Sequence, residues 1–471
     1  MRLVSKSIYP RRKGGVLIIS LILTIVLSAL AVSMATISGI NVQLAENQRK
    51  ADRARACAES GFDIIRYWLN RISISGLTYP EQRFNQIAIS LQNELTYNDI
   101  TNITTLCDGL AITIPSVTLD SENSSSFSAT ITPLDTETFQ IDVTGVYGPI
   151  RRTIRAQYYI GEEGHSVFNY GVATKGPLSL SGNVELEGIN VNVEASVYIV
   201  SENSNLALSI IGNSQIAGDV NIVNPLATVD LQGGQAGIGG ETGQAAIDNH
   251  VDFGAPECDF PEPNPAMFET CVASVIDADT DTSSDATFEN IRIAAGTNPT
   301  FSGNVTLKGI VYIETPNVVE FTGGVDITGI IAGDGSPDDN SGTNQLIFRG
   351  NVDSHPVTEL PEETQFDELR DQTGTFVVAP GFHVSFGGSF SALCGAIAGN
   401  GVEFFGNAGG TINGSVINYS DEQMELSGNS DLYFNRSGTG EAPAGFVPEI
   451  ILIYNPTSYS EITSSHVVYT E

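Results

Sequence analysis

From Val16 to Thr36 the chain reads VLIISLILTIVLSALAVSMAT, with no charged residue, proline or glycine. Written as a helix at 1.5 Å of rise per residue, such a run crosses roughly 30 Å, the thickness of a bilayer's hydrocarbon core. The helical period continues beyond it. Ala54, Ala58, Phe62, Ile65, Leu69 and Ile72 recur at i, i+3/i+4 spacing, with Arg53, Arg55, Asp63, Arg66 and Asn70 between them. The pattern predicts one helix over about 16–72, apolar all round in its first half and amphipathic in its second. Ser20, Thr24 and Ser28 fall every fourth residue and share one face. They either bond back to the helix's own carbonyls or form a helix–helix packing stripe.

Residues 76–111 show no clear period, and then the period changes to two. The runs SVTLDS, FSATITPL, TFQIDVTGVYG and IRRTIRAQYYI lie between Ser116 and Ile160, separated by turn-rich breaks. They predict a small antiparallel sheet, closing a module over 73–164. Arg151, Arg152 and Arg155 read as a solvated strand face.

Past residue 170 the chain repeats itself. LSGNVELEG at 180–188, FSGNVTLKG at 301–309 and FTGGVDITG at 321–329 share one pattern: apolar–x–Gly–Asn/Gly–apolar–x–apolar–x–Gly. Weaker copies begin at Ile210, Phe348, Phe404 and Leu426. Two short strands flanking a Gly-Asn corner describe one coil of a β-solenoid. A lone coil cannot bury its apolar side, but stacked coils can. Asparagines at equivalent corners would form an internal ladder. A β-sandwich would show strands every 8–12 residues instead. The expected fold class is mainly β (α+β overall): a long N-terminal helix with a small antiparallel sheet, then a right-handed parallel β-helix over 165–440. An insertion interrupts the β-helix at about 240–298, and in the tail, 441–471, the strand Ile450–Tyr454 is expected to cap the last coil.

Charge changes the picture by its distribution. Acidic residues outnumber basic ones 55 to 21 in 471, a net charge of −34. That argues against nucleic-acid binding through a basic surface. Yet no acidic residue precedes Glu46, whereas Arg2, Lys6, Arg11, Arg12 and Lys13 all do. The positive-inside bias places the N-terminus in the cytoplasm and the bulk of the chain outside the membrane. A secretory signal cut after Ser33-Met34-Ala35 has the same outline, but its apolar region is usually 7–15 residues, shorter than this one. In an exported domain, Cys258 and Cys271 could form a disulfide closing a Pro-rich loop, worth roughly 3 kcal/mol; two free thiols are the alternative.

Candidate chemistry is sparse. Asp277, Asp279, Asp281 and Asp285 put oxygens at the alternate positions a calcium loop uses. The loop's central glycine is missing, and Phe288 stands where a bidentate glutamate belongs, so a solvated acidic turn is the stronger reading and calcium the weaker. Arg370 sits among acidic residues in DELRD, as a surface turn would. The five histidines are scattered, and no GxSxG, Walker or HExxH pattern occurs. The expectation is a protein that is not an enzyme, with no catalytic residues, no metal and no cofactor beyond that weak calcium candidate.

Arg11-Arg12-Lys13-Gly14-Gly15 followed by Val16-Leu17-Ile18-Ile19 resembles a prepilin leader. Glu46-Asn47, the run ARACAESG at 54–61 and Phe62-Asp63-Ile64-Ile65 are similar to the N-terminal domain of PilX-like minor pilins. The resemblance covers about residues 11–75. It implies a leader over 1–15, cleavage by prepilin peptidase between Gly15 and Val16, and association with other pilin or pseudopilin subunits through the helix. Ser20 replaces the glutamate that most major pilins carry at the fifth mature position, as in PilX-like minor pilins and the tip pseudopilin of type II secretion. The implied protein is a bacterial single-pass cytoplasmic-membrane component of a type IV pilus or type II pseudopilus. It would display an acidic solenoid in the periplasm or outside the cell for assembly or surface contact. The alternative is a secreted β-helix protein that binds or cleaves polysaccharide.

Overall fold

A computed structural model describes residues 15–122, 124–339, 341–436 and 442–462. The basic leader therefore lies outside the described residues, apart from Gly15. The chain divides into two compact units. One comprises the N-terminal segment to Ile74, Thr78–Gly161 and the C-terminal segment from Ile451. The other comprises Glu162–Ile450 with the short piece Ser75–Leu77.

In the first unit, helix α1 spans Gly15–Leu69, ending three residues before the expected boundary. A second helix, α2 (Pro80–Tyr97), falls where no period was evident. Its signals are modest: a proline in the first turn, where the missing N–H costs nothing, and Ile87, Ala88, Leu91 and Leu95 as a narrow buried stripe. Strands β1 (Ile112–Asp120), β2 (Ser125–Pro133), β3 (Thr138–Tyr147) and β4 (Ile150–Glu163) form the expected antiparallel meander. Along β2 and β3 buried and part-exposed residues alternate, as a sheet with one covered face requires. Arg155 of β4 makes a two-bond pair with Asp142 of β3 at 2.7 Å, so part of the arginine face is a cross-strand ion pair.

The C-terminal strand Glu449–Ile462 corrects an expectation. It borders β4 in this antiparallel sheet rather than capping a coil. Its Tyr454 ring packs 5.5 Å from those of Phe62 and Tyr158, and Ser458 Oγ accepts the Gln157 N–H at 2.8 Å. The apolar residues of the strand thus complete the core of the first unit.

In the second unit, successive strands visit three sheets in rotation. Val172–Thr174 lies in the first sheet, Leu178–Gly182 in the second and Glu185–Gly188 in the third; Val197–Ile199 then returns to the first. Neighbouring coils pair in parallel, with Val197 opposite Val172, Leu208 opposite Leu178 and Gln215 opposite Glu185. The coils are not stacked in chain order. Val416–Asn418, Met424–Gly428 and Leu432–Phe434 pair with Val172–Thr174, Leu178–Gly182 and Glu185–Gly188. The first coil therefore sits inside the stack, between the second coil and the last. From it the chain builds outward to Val251–Phe253, crosses along 254–273, restarts at Ser274–Ile276 and builds back.

The crossing is the true interruption, so the expected insertion at 240–298 was too wide. Val251–Phe253 and Ala286–Ile293 are themselves strands of the first sheet. The outer face of that sheet is covered, with Ala173, Tyr198, Ile330, Val378, Ala398 and Ile417 packed under Phe268, Phe366, Leu369 and Phe446.

The repeated motif marks a single interior column. Its first apolar residues align in the second sheet as Leu231, Ile210, Leu180, Leu426, Phe404, Phe386, Phe348, Phe321 and Phe301. The five phenylalanines stack with ring centroids 4.8–5.1 Å apart. At the next corner Gly406, Gly428, Gly182 and Gly212 adopt φ of 71°, 85°, 104° and 86°. A Cβ on Gly182 would lie 2.5 Å from the Gly428 carbonyl oxygen, so the coils stack too closely for any side chain.

The asparagines that follow these glycines do form a ladder, but on the surface. Asn213 donates to Asn183 at 2.8 Å, Asn183 to Asn429 at 2.9 Å and Asn429 to Asn407 at 3.3 Å, all exposed. The internal ladder uses other residues. Buried Asn317, Asn344 and Asn418 accept backbone N–H groups from the adjacent coil at 2.7, 3.1 and 2.9 Å, and Asn418 donates to the buried Thr174 hydroxyl at 2.9 Å.

Where the first and last coils meet, Glu194 and Arg436 form a buried clasp. The Glu194 carboxylate accepts the Asn190 N–H at 2.7 Å, the Asn190 side-chain amide at 3.0 Å and the Arg436 N–H at 3.2 Å. The Arg436 guanidinium donates to the carbonyls of Glu194, Phe168 and Val193 at 2.9–3.1 Å. Burial alone would push the Glu194 carboxyl up, but these donors outweigh it and hold the group below the usual carboxylate value. A depressed folded-state pKa gives stability that is present above the unfolded value of about 4.3 and lost as pH falls through the folded value. Glu194→Gln is therefore expected to cost about 1–3 kcal/mol at neutral pH. In urea titrations the gap to the parent should narrow as the pH drops below 4; a constant gap would contradict the assignment.

Candidate assembly and anchoring helix

The first half of α1 is predominantly apolar and lies open. Val16 to Leu44 are exposed throughout, and the helix is long and apolar enough to cross a membrane. Of the three residues on the small-polar face, Ser20 Oγ donates to the Leu17 carbonyl at 2.9 Å and Thr24 Oγ1 to the Ser20 carbonyl at 2.8 Å. Such back-bonding satisfies hydroxyls without water. Thr36 does the same to Val32 at 2.9 Å. Gly15 and Val16 stand at the first turn of the helix.

The second half of α1 is the face that folds. Ala51, Ala54, Ala58, Phe62, Ile65 and Leu69 are buried against the sheet, and Arg55 pairs outward with Glu59 at 2.9 Å. The approach is close because both surfaces are small. A Cβ on Gly145 of β3 would come within 2.2 Å of the Ala54 carbonyl oxygen, and one on Gly61 within 2.5 Å of the Phe127 ring. The alternation pattern did not single out Gly145; the signal was a glycine in mid-strand, which marks close approach by another backbone.

The other candidate residues are not brought together. Asp277 accepts the Asp279 N–H at 3.1 Å and the Thr280 hydroxyl at 2.9 Å, Asp281 accepts from Ser283 and Ser284, and Asp285 accepts the Asn304 N–H at 2.7 Å. Asp277 and Asp281 fold the loop locally, while Asp285 ties it to the next coil, as do Thr282 and Ser283 through Thr300 and Ser302. Among the described residues no group of three or more His, Cys, Asp or Glu side chains could hold a metal. Arg370 pairs with Asp367 in a short helix, Asp367–Arg370.

All five cysteines are thiols, and the disulfide considered for Cys258 and Cys271 is not formed. Both instead pack, partly buried, in the cover of the first sheet. Burial pushes the Cys57 and Cys394 thiols up, which slows thiolate chemistry, whereas Cys107 is exposed. In the folded protein a maleimide is expected to label Cys107 fully before Cys57 or Cys394 reacts, as read by peptide mass mapping.

Residues 13–63 match the family described as PilX N-terminal. The chain thus carries a PilX-like N-terminal region joined to a much larger domain. Among solved structures, the competence-associated pilin ComZ from Thermus thermophilus is similar at 11% identity and a TM-score of 0.27, covering 88% of this chain and 98% of that one. An ice-binding protein from the Antarctic ascomycete Antarctomyces psychrotrophicus is similar at 11% identity and a TM-score of 0.18, covering 57% of this chain and 97% of that one. A search of curated proteins finds no match.

Proposed function

We propose that this protein is a membrane-anchored, non-enzymatic, minor-pilin-like component of a type IV pilus or type II secretion pseudopilus. In this reading prepilin peptidase cuts between Gly15 and Val16. The apolar half of α1 then anchors the subunit in the cytoplasmic membrane and later packs among the helices of other subunits, with Ser20, Thr24 and Ser28 on one packing face. The acidic coiled domain is displayed outside that membrane, for assembly or surface contact. The observation that carries the reading is the division of α1 into an exposed apolar half and a half buried on an antiparallel sheet. A cut after Ala35 would fall inside this continuous helix, which favours an uncleaved anchor over a secretory signal.

The test is the mature N-terminus, by mass spectrometry of protein recovered from its native membrane. A start at Val16, abolished in Gly15→Leu, is the expected result. A start after Ala35 would remove the anchor and end the pilin reading.

A further inference from the structure

Two pockets lie side by side in the second unit, at the corners where the first sheet turns into the second. The turn Ser420–Gln423 separates them. One, of about 440 Å³, is lined by Lys175, Glu202, Glu257, Asp259, Phe260 and Asp421. The other, of about 370 Å³, is lined by residues that include Asp339, His383, Asn400, Glu422 and Gln423.

Each pocket holds a polar group whose bonding is incomplete. The Lys175 ammonium lies 5.6 Å from the ring centre of Phe260 and 5.7 Å from that of Tyr419. Among the described residues it makes no hydrogen bond and no ion pair, although four carboxylates line the same pocket. The other basic side chains of this unit are all engaged: Arg292, Lys308, Arg349 and Arg370 with carboxylates, and Arg436 in its clasp. Across the turn, Asn400 is 9% exposed and donates its amide to the Asp339 carbonyl at 2.6 Å. Its side-chain oxygen is buried with no hydrogen-bond partner among the described residues. A small rotation of the side chain would turn that unbonded acceptor toward a donor brought by a ligand.

The occupant must therefore donate to Asn400 Oδ1 and to carboxylates, accept from Lys175, and lay a C–H surface against the half-buried Phe260 ring. A purely apolar molecule does none of the first three. An anion would meet four carboxylates for one ammonium, and among the described residues a metal ion finds no trio of ligands. A polyhydroxylated ring supplies every one of these contacts. The pockets also run across six successive coils, at the corners near 201, 175, 421, 400, 382 and 344. At ~4.8 Å per strand step this is roughly 24 Å, enough for several linked sugars.

We propose that the paired pockets bind a neutral oligosaccharide. One ring rests on Phe260 between Lys175 and the carboxylates, and the chain continues past the 420–423 turn to Asn400. This gives a ligand class to the surface contact proposed above and rests on that reading only for where the domain is displayed.

The test is calorimetric titration of the full-length protein in a polyoxyethylene detergent, since glucoside and maltoside detergents carry the ligand's own chemistry. Neutral disaccharides and pentasaccharides of glucose, galactose, mannose and N-acetylglucosamine are compared with a galacturonate oligomer and a lysine-rich peptide. The expected result is saturable binding of at least one neutral pentasaccharide at about 1 mM or tighter, at least tenfold stronger than its disaccharide. It should weaken at least tenfold in Phe260→Ala and in Lys175→Met, with the far-UV circular dichroism of both variants that of the parent. No saturable binding by any neutral sugar would overturn the proposal. So would binding unaffected by both substitutions, or preference for the galacturonate or the peptide. The mature N-terminus is unaffected by any of these outcomes, so the two readings fail separately.

Discussion

Phe348→Ala is expected to lower the stability of the parallel-stranded unit by about 3–5 kcal/mol, the cost of emptying a large, well-packed core site. The ring is fully buried and stacks between Phe321 at 5.1 Å and Phe386 at 4.9 Å, nearly parallel to both. Its removal opens a gap in the middle of a five-ring column. The flanking rings cannot close it, because their strands are pinned by the parallel ladder on either side. Phe348→Leu is the informative control. Leucine fills the same column at Leu180 and Leu426, and loss of volume without a full cavity should cost under about 1.5 kcal/mol. Urea unfolding followed by far-UV circular dichroism separates the two. Equal losses for Ala and Leu would mean that the column is not packed as described.

Gly145→Val is expected to detach α1 from the antiparallel sheet. The new side chain meets the carbonyl oxygen of Ala54 and the N–H nitrogen of Ala58, both backbone atoms that cannot rotate away. Overpacking typically costs about 1–3 kcal/mol, occasionally more, and this clash is with a rigid helix. If α1 lifts, Ala54, Ala58, Phe62 and Ile65 lose their cover together. Limited proteolysis should then cut within residues 50–70, a segment expected to stay intact in the parent. Thr144→Val, one residue earlier and on the other face of β3, should leave that segment protected. Parent-like protection in Gly145→Val would contradict the close approach.

The sequence made some of this architecture legible and hid the rest for physical reasons. Periodicity exposed α1, the meander and the coil motif because each has one buried side, and burial imposes its period on the residues. It could not show the order of the coils. Leu180 and Leu426 are neighbours in space, yet any coil could have stacked on any other with the same apolar pattern. The C-terminal strand was misplaced for a related reason. Ile450 and Leu452 advertise a buried face but not which sheet buries it. Helix α2 carries only four buried residues in eighteen, too narrow a stripe to stand out. The paired pockets were also invisible. Lys175, Phe260 and Asn400 are far apart in the chain, and only the crossing segment and the returning coils bring them to the two pockets.

One consequence concerns timing. Strand β4 ends at Glu163, and its partner in the sheet, the C-terminal strand, begins at Glu449. All of residues 164–448 must therefore be synthesised before the sheet that holds α1 can be finished. An unfolded connection of that length resists closure, and the resistance grows with the logarithm of its length. Folding the coils removes it, because their entry and exit are adjacent: His165 Nδ1 lies 2.7 Å from Glu449 Oε1. The large domain thus acts as its own inspector. A chain whose coils fail to stack leaves the C-terminal strand unanchored and the core around Phe62 open, so a fault in the large domain shows in the small one.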